Sequence, residues 1–571
     1  MQRKLEALSD KHFDLVIVGG GIFGICAAWD ATLRGLSVGL VEKGDFAGKA
    51  SAHNFKVVHG GIRYLQHLDV RRLRNSSRER NRFLRTAPHL VRPLPILVPT
   101  YGSGRSGKSA LAAGAAMYDL LTIDRNRGIA DPERRLTSSK MITRREVLDR
   151  FPGLPSENLS GGVIFEDGQM FSPARLALSY LKGACERGVV AANYAEVIQM
   201  LSRGGRVVGV KVRDRRTGQD FEVHGDVILN AAGAWSEPLL QNSLGISLPQ
   251  QVFFSRDTYL AINRQLLGDR CGIALRAMST DPDAIFSRGH RHLFVLPAWS
   301  WSKLSLVGVW HRVLKGLPEQ ISVSEREMQK YVDEINQAYP ALELTLDDIS
   351  SWHAGFVPVD DDRPGEVEVR YGKRSLLIDH EQADGTKGLL TVIGVRYTMA
   401  RQVGQKVIDT VVGKLGKGPI PSRADDVPVY GGDIDDISDL RQDILKQYGP
   451  VLGEESSLSI LHQYGSAHAG IARLIKERPE LAQSIGQPPV TKAQIIHAVR
   501  EEMAQTLADV VFRRTELASG GHPGSGVLDV CEDLVATELE WTEAQIQNER
   551  DAVDGIFARV RPQEASEPAV D

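Results

Sequence analysis

The sequence contains few cysteines, no long apolar run and almost no net charge. Its four cysteines, Cys26, Cys185, Cys271 and Cys531, are widely separated and form no CxxC pair. They match neither a disulfide framework nor a metal-ligand spacing, so we expect reduced thiols, no metal and a cytoplasmic location. No uninterrupted apolar run reaches the roughly 18 residues that a membrane-spanning helix needs. The charged N-terminus also lacks the apolar segment of a secretory signal.

Charge and length narrow the class of protein further. A net charge of −3 gives no reason to expect a nucleic acid as partner. The proportions of hydrophobic and charged residues, 42% and 25%, are those of a globular protein. A chain of 571 residues is too long for one hydrophobic core, so two or three domains are expected. We find no internal repeat.

The strongest local pattern is a glycine-rich turn within DLVIVGGGIFG. Leu15–Val18 is a short apolar run typical of a buried parallel strand, and a helical segment follows the turn. Gly19 allows the turn, and Gly21 lets a pyrophosphate approach the backbone amides at the helix N-terminus. Glu42 lies 18 residues after Gly24 (42 − 24) and is placed to accept hydrogen bonds from a ribose. The alternative is a glycine-rich turn in an unrelated α/β unit.

Two later segments favour FAD over NAD. DVILNAAGAWSEPLL (226–240) and GLLTVIGVRYTMAR (388–401) each predict a buried strand, a turn and the start of a helix. A second glycine turn far along the chain suits a long cofactor that lies across the sheet. Val197, at the end of a predicted strand at Val189–Val197, is placed to pack on an adenine. Each segment alone also fits an ordinary strand–turn–helix crossing.

The stretch KVVHGGIRYL (56–65) combines charged and proton-transferring side chains with two glycines. Gly60 and Gly61 permit a close approach of the backbone to a ligand. Arg63 is suited to a phosphate or carboxylate, because its guanidinium donates paired hydrogen bonds. The alternatives are a surface ion pair for Arg63 and a hydrogen-bonded core histidine for His59.

With these motifs in view, the sequence resembles the FAD-dependent glycerol-3-phosphate dehydrogenases, within the glycine/D-amino-acid oxidase superfamily. The resemblance covers nearly the whole chain. It rests on DLVIVGGGIFG, KVVHGGIRYL, TAPHL (86–90), NAAGAWS (230–236), KRSLLID (373–379), GVRYTMAR, VYGGDI (429–434) and AVREEMAQTLADVVFRRTELA (498–518). HGGIRYL and the last stretch are the most specific to the family.

The resemblance implies an α/β fold in which a Rossmann-like FAD-binding domain carries an inserted antiparallel-sheet substrate domain and is followed by an all-helical cap domain. We expect the oxidoreductase domain at 10–425, with FAD pieces at about 10–110, 155–250 and 350–420 and the insertion at about 250–350. The helical domain would occupy 426–560 and a disordered tail 561–571. Residue patterns further predict strands within 292–310, a helix at Ser324–Tyr339, and an N-cap at Thr491. One apolar helix face after Thr491 would contain Ile495, Ile496, Val499, Met503, Leu507, Val510 and Val511.

The resemblance also implies the site residues. The cofactor would contact Gly19, Gly21, Ile22, Phe23, Gly24, Glu42, Lys43, Ser51, Asn54, Lys56, Val57, His59, Gly60, Val197, Ala232, Gly233, Trp235, Gly394, Arg396, Tyr397 and Thr398. The catalytic and substrate-binding candidates are His59, Arg63, Tyr64, Tyr259, His353, Arg374 and Arg396. His59, His353 and Tyr259 are the alternatives for the proton-transfer group.

The sequence departs from the family pattern at positions expected to contact the substrate. Val357 stands where the family usually has an arginine that binds phosphate, and Tyr259 stands where it usually has a histidine. Arg396 matches the family's lysine, and Arg374 is retained. Three acids, Asp360–Asp362, follow Val357 closely. These departures predict a small anionic substrate that differs from glycerol 3-phosphate.

The leading hypothesis is therefore an FAD-dependent dehydrogenase or oxidase that oxidises a secondary alcohol and passes electrons to quinone or oxygen. An amine oxidase of the same superfamily and a catalytically silent flavoprotein are the alternatives. His53 raises the further alternative that FAD is bound covalently, but we favour a histidine that forms no bond to the cofactor. The arginine-rich stretch 70–85 and the apolar stretch 109–121 leave open a weak contact with a membrane surface, and a homodimer is also left open.

Overall fold

A computed structural model describes residues 1–102, 107–268, 270–278, 290–314, 321–359 and 374–561. The predicted tail, apart from residue 561, and Asp360–Asp362 lie outside the described residues. The strands are β1 (His12–Val18), β2 (Val38–Val41), β3 (Val57–Val58), β4 (Val91–Tyr101), β5 (Lys140–Thr143), β6 (Leu159–Met170), β7 (Val190–Ala192), β8 (Ala195–Arg203), β9 (Arg206–Asp214), β10 (Asp220–Asn230), β11 (Phe253–Ile262), β12 (Gly272–Met278), β13 (His290–Pro297), β14 (Ser305–Leu314), β15 (Ile349–Val359), β16 (Leu376–Asp379), β17 (Leu389–Ile393), β18 (Ser484–Ile485) and β19 (Val490–Thr491). The helices are α1 (Glu6–Ser9), α2 (Ile22–Leu33), α3 (Val70–Thr86), α4 (Lys108–Leu121), α5 (Arg144–Arg150), α6 (Pro173–Cys185), α7 (Ser236–Leu244), α8 (Glu325–Ala338), α9 (His380–Ala383), α10 (Ala400–Lys414), α11 (Ile437–Leu452), α12 (Glu454–Tyr464), α13 (Ala469–Glu477), α14 (Lys492–Glu502), α15 (Leu507–Asp509), α16 (Ser525–Leu539) and α17 (Glu543–Val560).

The first sheet is built around five parallel strands in the order β17, β10, β1, β2 and β7. β1 and β2 are almost completely buried, which explains their continuous apolar sequence. Helices α2, α6 and α10 pack beside one another. α2 and α10 lie so close that a Cβ on Gly404 would come within 2.9 Å of the Cys26 backbone. This is the predicted Rossmann-like layer.

The second sheet runs in the order β15, β11, β14, β13, β12, β4, β6 and β3, with β5 beside β6. The predicted strands within 292–310 are confirmed as parts of β13 and β14, and the predicted helix is α8, whose N-cap Ser324 forms a capping box with Glu327. The sheet is larger than the predicted insertion at 250–350, because β3, β4, β5 and β6 belong to it. The stretch 56–65 therefore contributes its edge strand, β3, to this sheet.

The chain after residue 425 is mostly helical, as expected, but it is not all-helical, because β18 and β19 form a small antiparallel sheet. Thr491 is the N-cap of α14, as predicted. The expected single apolar face is wrong. α14 ends at Glu502, and Met503 has a left-handed backbone with φ of 58°. The apolar residues after Met503 belong to α15 and a following π-helical turn, Val510–Arg514. The predicted strand Val189–Val197 is likewise two strands, β7 and β8, separated by a turn.

Among the described helices, none combines the length and the hydropathy that crossing a bilayer requires. The four cysteines are all unpaired, in agreement with the predicted reduced thiols.

Candidate functional site

The parallel strands β1, β2, β10 and β17 end at the same edge of the first sheet. Val18 pairs with Val41 on one side and with Asn230 on the other, and Asn230 pairs with Thr391 near the end of β17. Ligands of open α/β sheets bind outside the carboxyl ends of such strands. The three predicted turns at residues 19–24, 231–235 and 394–398 therefore meet at one edge.

The glycine-rich turn leaves room for a ligand at Gly21 but not at its neighbours. Gly19 has φ of 110°, and a Cβ there would lie 2.6 Å from the Ala231 carbonyl oxygen. A Cβ on Gly24 would lie 2.1 Å from the Gly19 oxygen, whereas one on Gly21 would first meet the Ser51 hydroxyl at 3.4 Å. Gly19 and Gly24 thus shape the turn, and the space beside Gly21, at the start of α2, is open.

Glu42 follows β2 and connects two loops at this edge. Its carboxylate accepts hydrogen bonds from the Gly20 amide at 2.7 Å and the Gly44 amide at 2.8 Å. Burial raises the pKa of Glu42 in spite of these two bonds. Ile22 donates its amide to Ser51 Oγ at 3.0 Å, which leaves the Ser51 hydroxyl hydrogen able to donate to a phosphate.

The second and third turns approach the first. Phe23 on α2 packs so closely on Gly394 that a Cβ there would come within 1.9 Å of its ring. Thr398 Oγ1 accepts the His59 amide at 3.2 Å, and the Tyr397 hydroxyl donates to the Pro173 carbonyl at 2.7 Å.

Two further predicted cofactor contacts, Lys43 and Trp235, lie near the second turn. Lys43 Nζ sits 4.9 Å from the ring centroid of Trp235, which follows Ala232 and Gly233. Val197, on β8, is half-buried and lies two residues after Ala195, whose amide donates to the Glu42 carbonyl at 2.8 Å.

The stretch 56–65 includes β3, the edge strand of the second sheet. Lys56 is buried with φ of 59°, and its ammonium lies 3.6 Å from the Glu516 carboxylate, while Val57 is buried in β3. His59 Nδ1 lies 3.7 Å from the buried Asp167 carboxylate, which also accepts the Gly60 amide at 2.5 Å.

Asp167 is held by a third partner, the fully buried Arg80 of α3, at 2.8 Å. Burial acts to raise the pKa of Asp167, but the neighbouring His59 and the charge of Arg80 outweigh it, so the pKa lies below its ordinary value. A Cβ on Gly60 would lie 2.1 Å from the Arg80 guanidinium, which explains the glycine.

Two of the predicted substrate-binding side chains meet directly. Arg396 donates to the Tyr64 hydroxyl and lies over the Tyr64 ring, 5.3 Å from its centroid. Arg374 is exposed, and the next residue, Ser375, accepts the Val395 amide at 3.3 Å, so Arg374 starts from a backbone next to Arg396. The backbone of Arg63 precedes Tyr64 in a 3₁₀ turn, Ile62–His67; its side chain lies outside the described residues.

His353 and Tyr259 lie opposite each other on β15 and β11, with their rings stacked at 4.7 Å. His353 Nδ1 is 3.2 Å from His53 Nδ1, and its Nε2 is 3.3 Å from Ser351 Oγ. Burial lowers the pKa of His53 to about 4, and burial together with the neighbouring His53 lowers the pKa of His353 well below its ordinary value. Burial raises the pKa of Tyr259.

His53, His353 and Tyr259 line a cavity of about 370 Å³ between the second sheet, the loop before β3 and the C-terminal helical region. Val357 lies four residues from His353 on β15, and alternation along a strand places both side chains on the same side. Gly355, between them, packs against the Ala50 backbone, so this side faces the loop before β3.

Sequence reasoning missed several residues of this region. Asp167 and Arg80 support His59 and Gly60 but come from β6 and α3, and no local pattern marks them. The pairing of His53 with His353 also joins distant parts of the chain. A buried acid, Asp45, was missed although it follows Glu42 closely.

Comparison with known proteins identifies the family. A family model described as FAD dependent oxidoreductase matches residues 14–396, and one described as the C-terminal domain of alpha-glycerophosphate oxidase matches residues 422–546. The chain belongs to the FAD-dependent oxidoreductase family. The predicted family, fold class, FAD cofactor and activity on a CH–OH donor are thereby confirmed.

Individual relatives extend over almost the whole chain. A glycerol-3-phosphate dehydrogenase from Synechocystis sp. is 29% identical over 95% of this chain and 96% of its own. The mitochondrial glycerol-3-phosphate dehydrogenase of Mus musculus is 28% identical over 94% of this chain and 72% of its own. The crystal structure of the glycerol-3-phosphate dehydrogenase from Bacillus halodurans complexed with FAD superimposes with a TM-score of 0.74 over 98% of each chain, at 22% identity. This last likeness concerns the fold.

The residues of the sheet edge fit FAD. The space beside Gly21, the first turn of α2 and the Ser51 hydroxyl suit a pyrophosphate. The side-chain oxygen of Asn54, Oδ1, is buried and accepts no hydrogen bond from the described residues. A hydroxyl group of the cofactor would supply the missing donor.

Proposed function

We propose that this protein oxidises the secondary alcohol of a small anionic substrate, with specificity shifted away from glycerol 3-phosphate. The observation that carries the proposal is the contact between Arg396 and Tyr64, which belongs to the same stretch, 56–65, as His59. FAD, when bound, accepts the hydride from the carbinol carbon. The names of two relatives that match 95% and 94% of this chain, both glycerol-3-phosphate dehydrogenases, support a substrate alcohol of the glycerol-3-phosphate type.

The cationic side chains would bind the anion. Arg396 and Arg374 start from neighbouring backbone positions, and Tyr64 adds a hydroxyl in contact with Arg396. A guanidinium donates paired hydrogen bonds to a phosphate or a carboxylate. Arg63 precedes Tyr64 and is the third candidate for this role. Together these residues would orient the substrate and exclude neutral alcohols.

His353 is the base that we favour for the hydroxyl proton. Its pKa lies well below the ordinary value because of burial, so the imidazole is neutral near pH 7 and keeps a nitrogen lone pair. Tyr259 cannot serve in the same way, because burial raises the pKa of its hydroxyl. His53 lies on Nδ1 of His353 and would fix the orientation of the ring. Nε2, which faces the rotatable Ser351 hydroxyl, would accept the substrate proton once that hydroxyl turns away.

The test is anaerobic mixing of the purified holoenzyme with a panel of alcohols and amines. Anionic secondary alcohols should abolish the absorbance of oxidised flavin, and neutral glycerol should not. Bulkier or less highly charged anions, such as hydroxy acids, sugar derivatives or phosphodiesters, should act faster than glycerol 3-phosphate. Reduction by amines alone, or by no anionic alcohol, would contradict the proposal.

Electrons would leave the reduced flavin to a quinone or to oxygen, and an exposed apolar patch supports contact with a membrane surface. The patch consists of Leu68, Val70, Met117, Leu120 and Ile123, which are between 41% and 79% exposed. Arg74 donates to the Leu121 carbonyl and to Asp124, so the start of α3 lies beside the end of α4. A cytoplasmic location and a homodimer stay predictions.

Sedimentation with vesicles tests the membrane contact. We expect the wild type to bind phosphatidylglycerol-containing vesicles and the variant Leu120→Ser/Ile123→Ser to lose most of this binding. Val451→Ser is the control, because Val451 is also 67% exposed but lies on α11, outside the patch. Equal binding by all three proteins would show that the patch serves another purpose.

A further inference from the structure

The C-terminal helical region reaches the cofactor edge through a buried ion cluster. Asp45 lies in residues 42–48, here called the ribose loop. Arg514 donates to both oxygens of its carboxylate, at 2.6 and 2.8 Å, and Arg513 donates through Nε at 2.5 Å. Asp45 and Arg514 are almost inaccessible to solvent. Burial acts to raise the pKa of Asp45, but the two arginines outweigh it, so the pKa lies below its ordinary value.

The arginines are themselves anchored in the helical region. Arg514 donates its Nε to the Glu502 carbonyl at 3.0 Å, and Arg513 donates to Asp509. Asn193, after β7, joins the cluster. Its side-chain Nδ2 donates to the Asp45 carboxylate at 3.0 Å and to the Met503 carbonyl at 2.9 Å. The cluster thus ties the ribose loop to the ends of two helical segments.

The ribose loop is hydrogen-bonded to the glycine-rich turn. Glu42 accepts the Gly20 and Gly44 amides, and the Ala47 amide donates to the Gly20 carbonyl at 2.9 Å. Asp45 lies between these contacts, so a displacement of its carboxylate would move the Glu42 side chain and the Gly20 backbone together. Breaking a buried charge pair from one side leaves an uncompensated charge and favours such a displacement.

We propose that Arg513 and Arg514 are positioning residues for FAD, which fix the ribose loop through Asp45 so that the C-terminal helical region sets the affinity for the cofactor. Because such coupling is reciprocal, bound FAD should in turn stabilise the contact of the helical region with the loop. This proposal depends on the FAD family and not on the identity of the substrate.

The test is titration of the apo-protein with FAD, followed by fluorescence, for wild type, Asp45→Asn, Arg514→Met and Arg514→Lys. We expect the dissociation constant for FAD to rise at least ~30-fold for the first two variants, and less for the lysine variant, which keeps the charge. Arg175→Met is the matched control. It breaks the equally buried pair of Arg175 with the Glu502 carboxylate, which ties α6 to α14. It removes no bond of the ribose loop and leaves in place the Glu502 backbone carbonyl that accepts from Arg514.

A second measurement separates positioning from general stability. Hydrogen exchange of residues 503–517 should slow when FAD binds to the wild type and to the Arg175 variant, but not to Asp45→Asn or Arg514→Lys. A dissociation constant within ~3-fold of wild type for Asp45→Asn and Arg514→Lys would overturn the proposal. An increase in the dissociation constant for FAD in Arg175→Met as large as that in Asp45→Asn would also overturn the proposal.

Discussion

Val357 is the residue at which the family resemblance predicts the most consequential departure. It is half-buried on β15, on the same side as His353, facing the loop before β3. A valine there provides no hydrogen bond to an anion. A charge-assisted hydrogen bond is worth roughly 1.5–3 kcal/mol, or about one to two decades in affinity.

Val357→Arg should therefore raise kcat/KM for glycerol 3-phosphate by about 10- to 100-fold. Steady-state kinetics with an artificial electron acceptor measures this gain, with Val357→Met as the control for side-chain size. If the wild type already reaches roughly 10⁴ M⁻¹s⁻¹ or above with glycerol 3-phosphate, an ordinary enzyme value, the departure at this position is neutral.

The stacked pair of His353 and Tyr259 makes a second prediction. His353→Asn should slow anaerobic flavin reduction by about 100-fold or more, since general base catalysis contributes ~10²–10⁴-fold. Tyr259→Phe keeps the stacked ring and should slow it by no more than ~3-fold, because burial holds the phenol protonated. Rapid mixing with the best substrate distinguishes the two. A larger loss in Tyr259→Phe than in His353→Asn would assign the base to the tyrosine.

Among the local elements, the turn between β1 and α2 offers a matched pair of substitutions. Gly21→Ala meets only the Ser51 hydroxyl at 3.4 Å in the protein, but it enters the space for the pyrophosphate. Gly24→Ala would place a Cβ 2.1 Å from the Gly19 carbonyl and so disturbs the protein itself. We expect the first variant to fold but lose FAD, and the second to lose thermal stability even as apo-protein. Thermal denaturation and flavin content after purification measure both; full flavin occupancy in Gly21→Ala would contradict the assignment of the turn.

How well each element could be predicted depended on whether its determinants are local. The turn at Gly19–Gly24 was predictable, because strand, glycines and helix are contiguous. For α3, the sequence showed seven arginines but could not show which of them are buried or paired. Its exposed Arg78 and its buried Arg80 carry the same charge, and only the fold brings Asp167 to Arg80. The break of α14 at Met503 was missed for a similar reason: apolar spacing continued across it, and the residues beyond pack in the same core after a change of backbone direction.

At the scale of the whole molecule, the site is assembled from parts that share no local sequence. The cavity beside His353 has walls from the loop before β3, from β11 and β15, and from the turn and helix that carry Glu516 and Arg559. The resemblance to a family supplied His353 and Tyr259 by position but not Glu516 or Arg559, and their meeting in one cavity follows from long-range packing. The three parts must therefore fold together for the site to exist.

This packing buries several histidines as neutral groups, which makes the whole fold sensitive to acid. Burial lowers the pKa of His53 to about 4 and those of His89 and His497 to about 3. The ordinary pKa of histidine, which applies to the unfolded chain, is ≈ 6.5. Below that value the unfolded state binds protons that the folded state does not, so stability is present above about pH 6.5 and is lost as the pH falls toward 4.

The expected result is a fall in the thermal midpoint between pH 7 and pH 5, measured with saturating FAD. Each such histidine contributes up to ~1.4 kcal/mol of unfolding free energy per pH unit in this window. His89 is fully buried, so His89→Asn should lower the midpoint at pH 7 but flatten its dependence on pH. His12→Asn is the control, because the His12 side chain is 58% exposed and should leave the slope unchanged. The contrary result is a thermal midpoint that falls equally steeply with pH in wild type and in His89→Asn. That result would mean that protonation of this buried histidine does not limit the stability of the fold in acid.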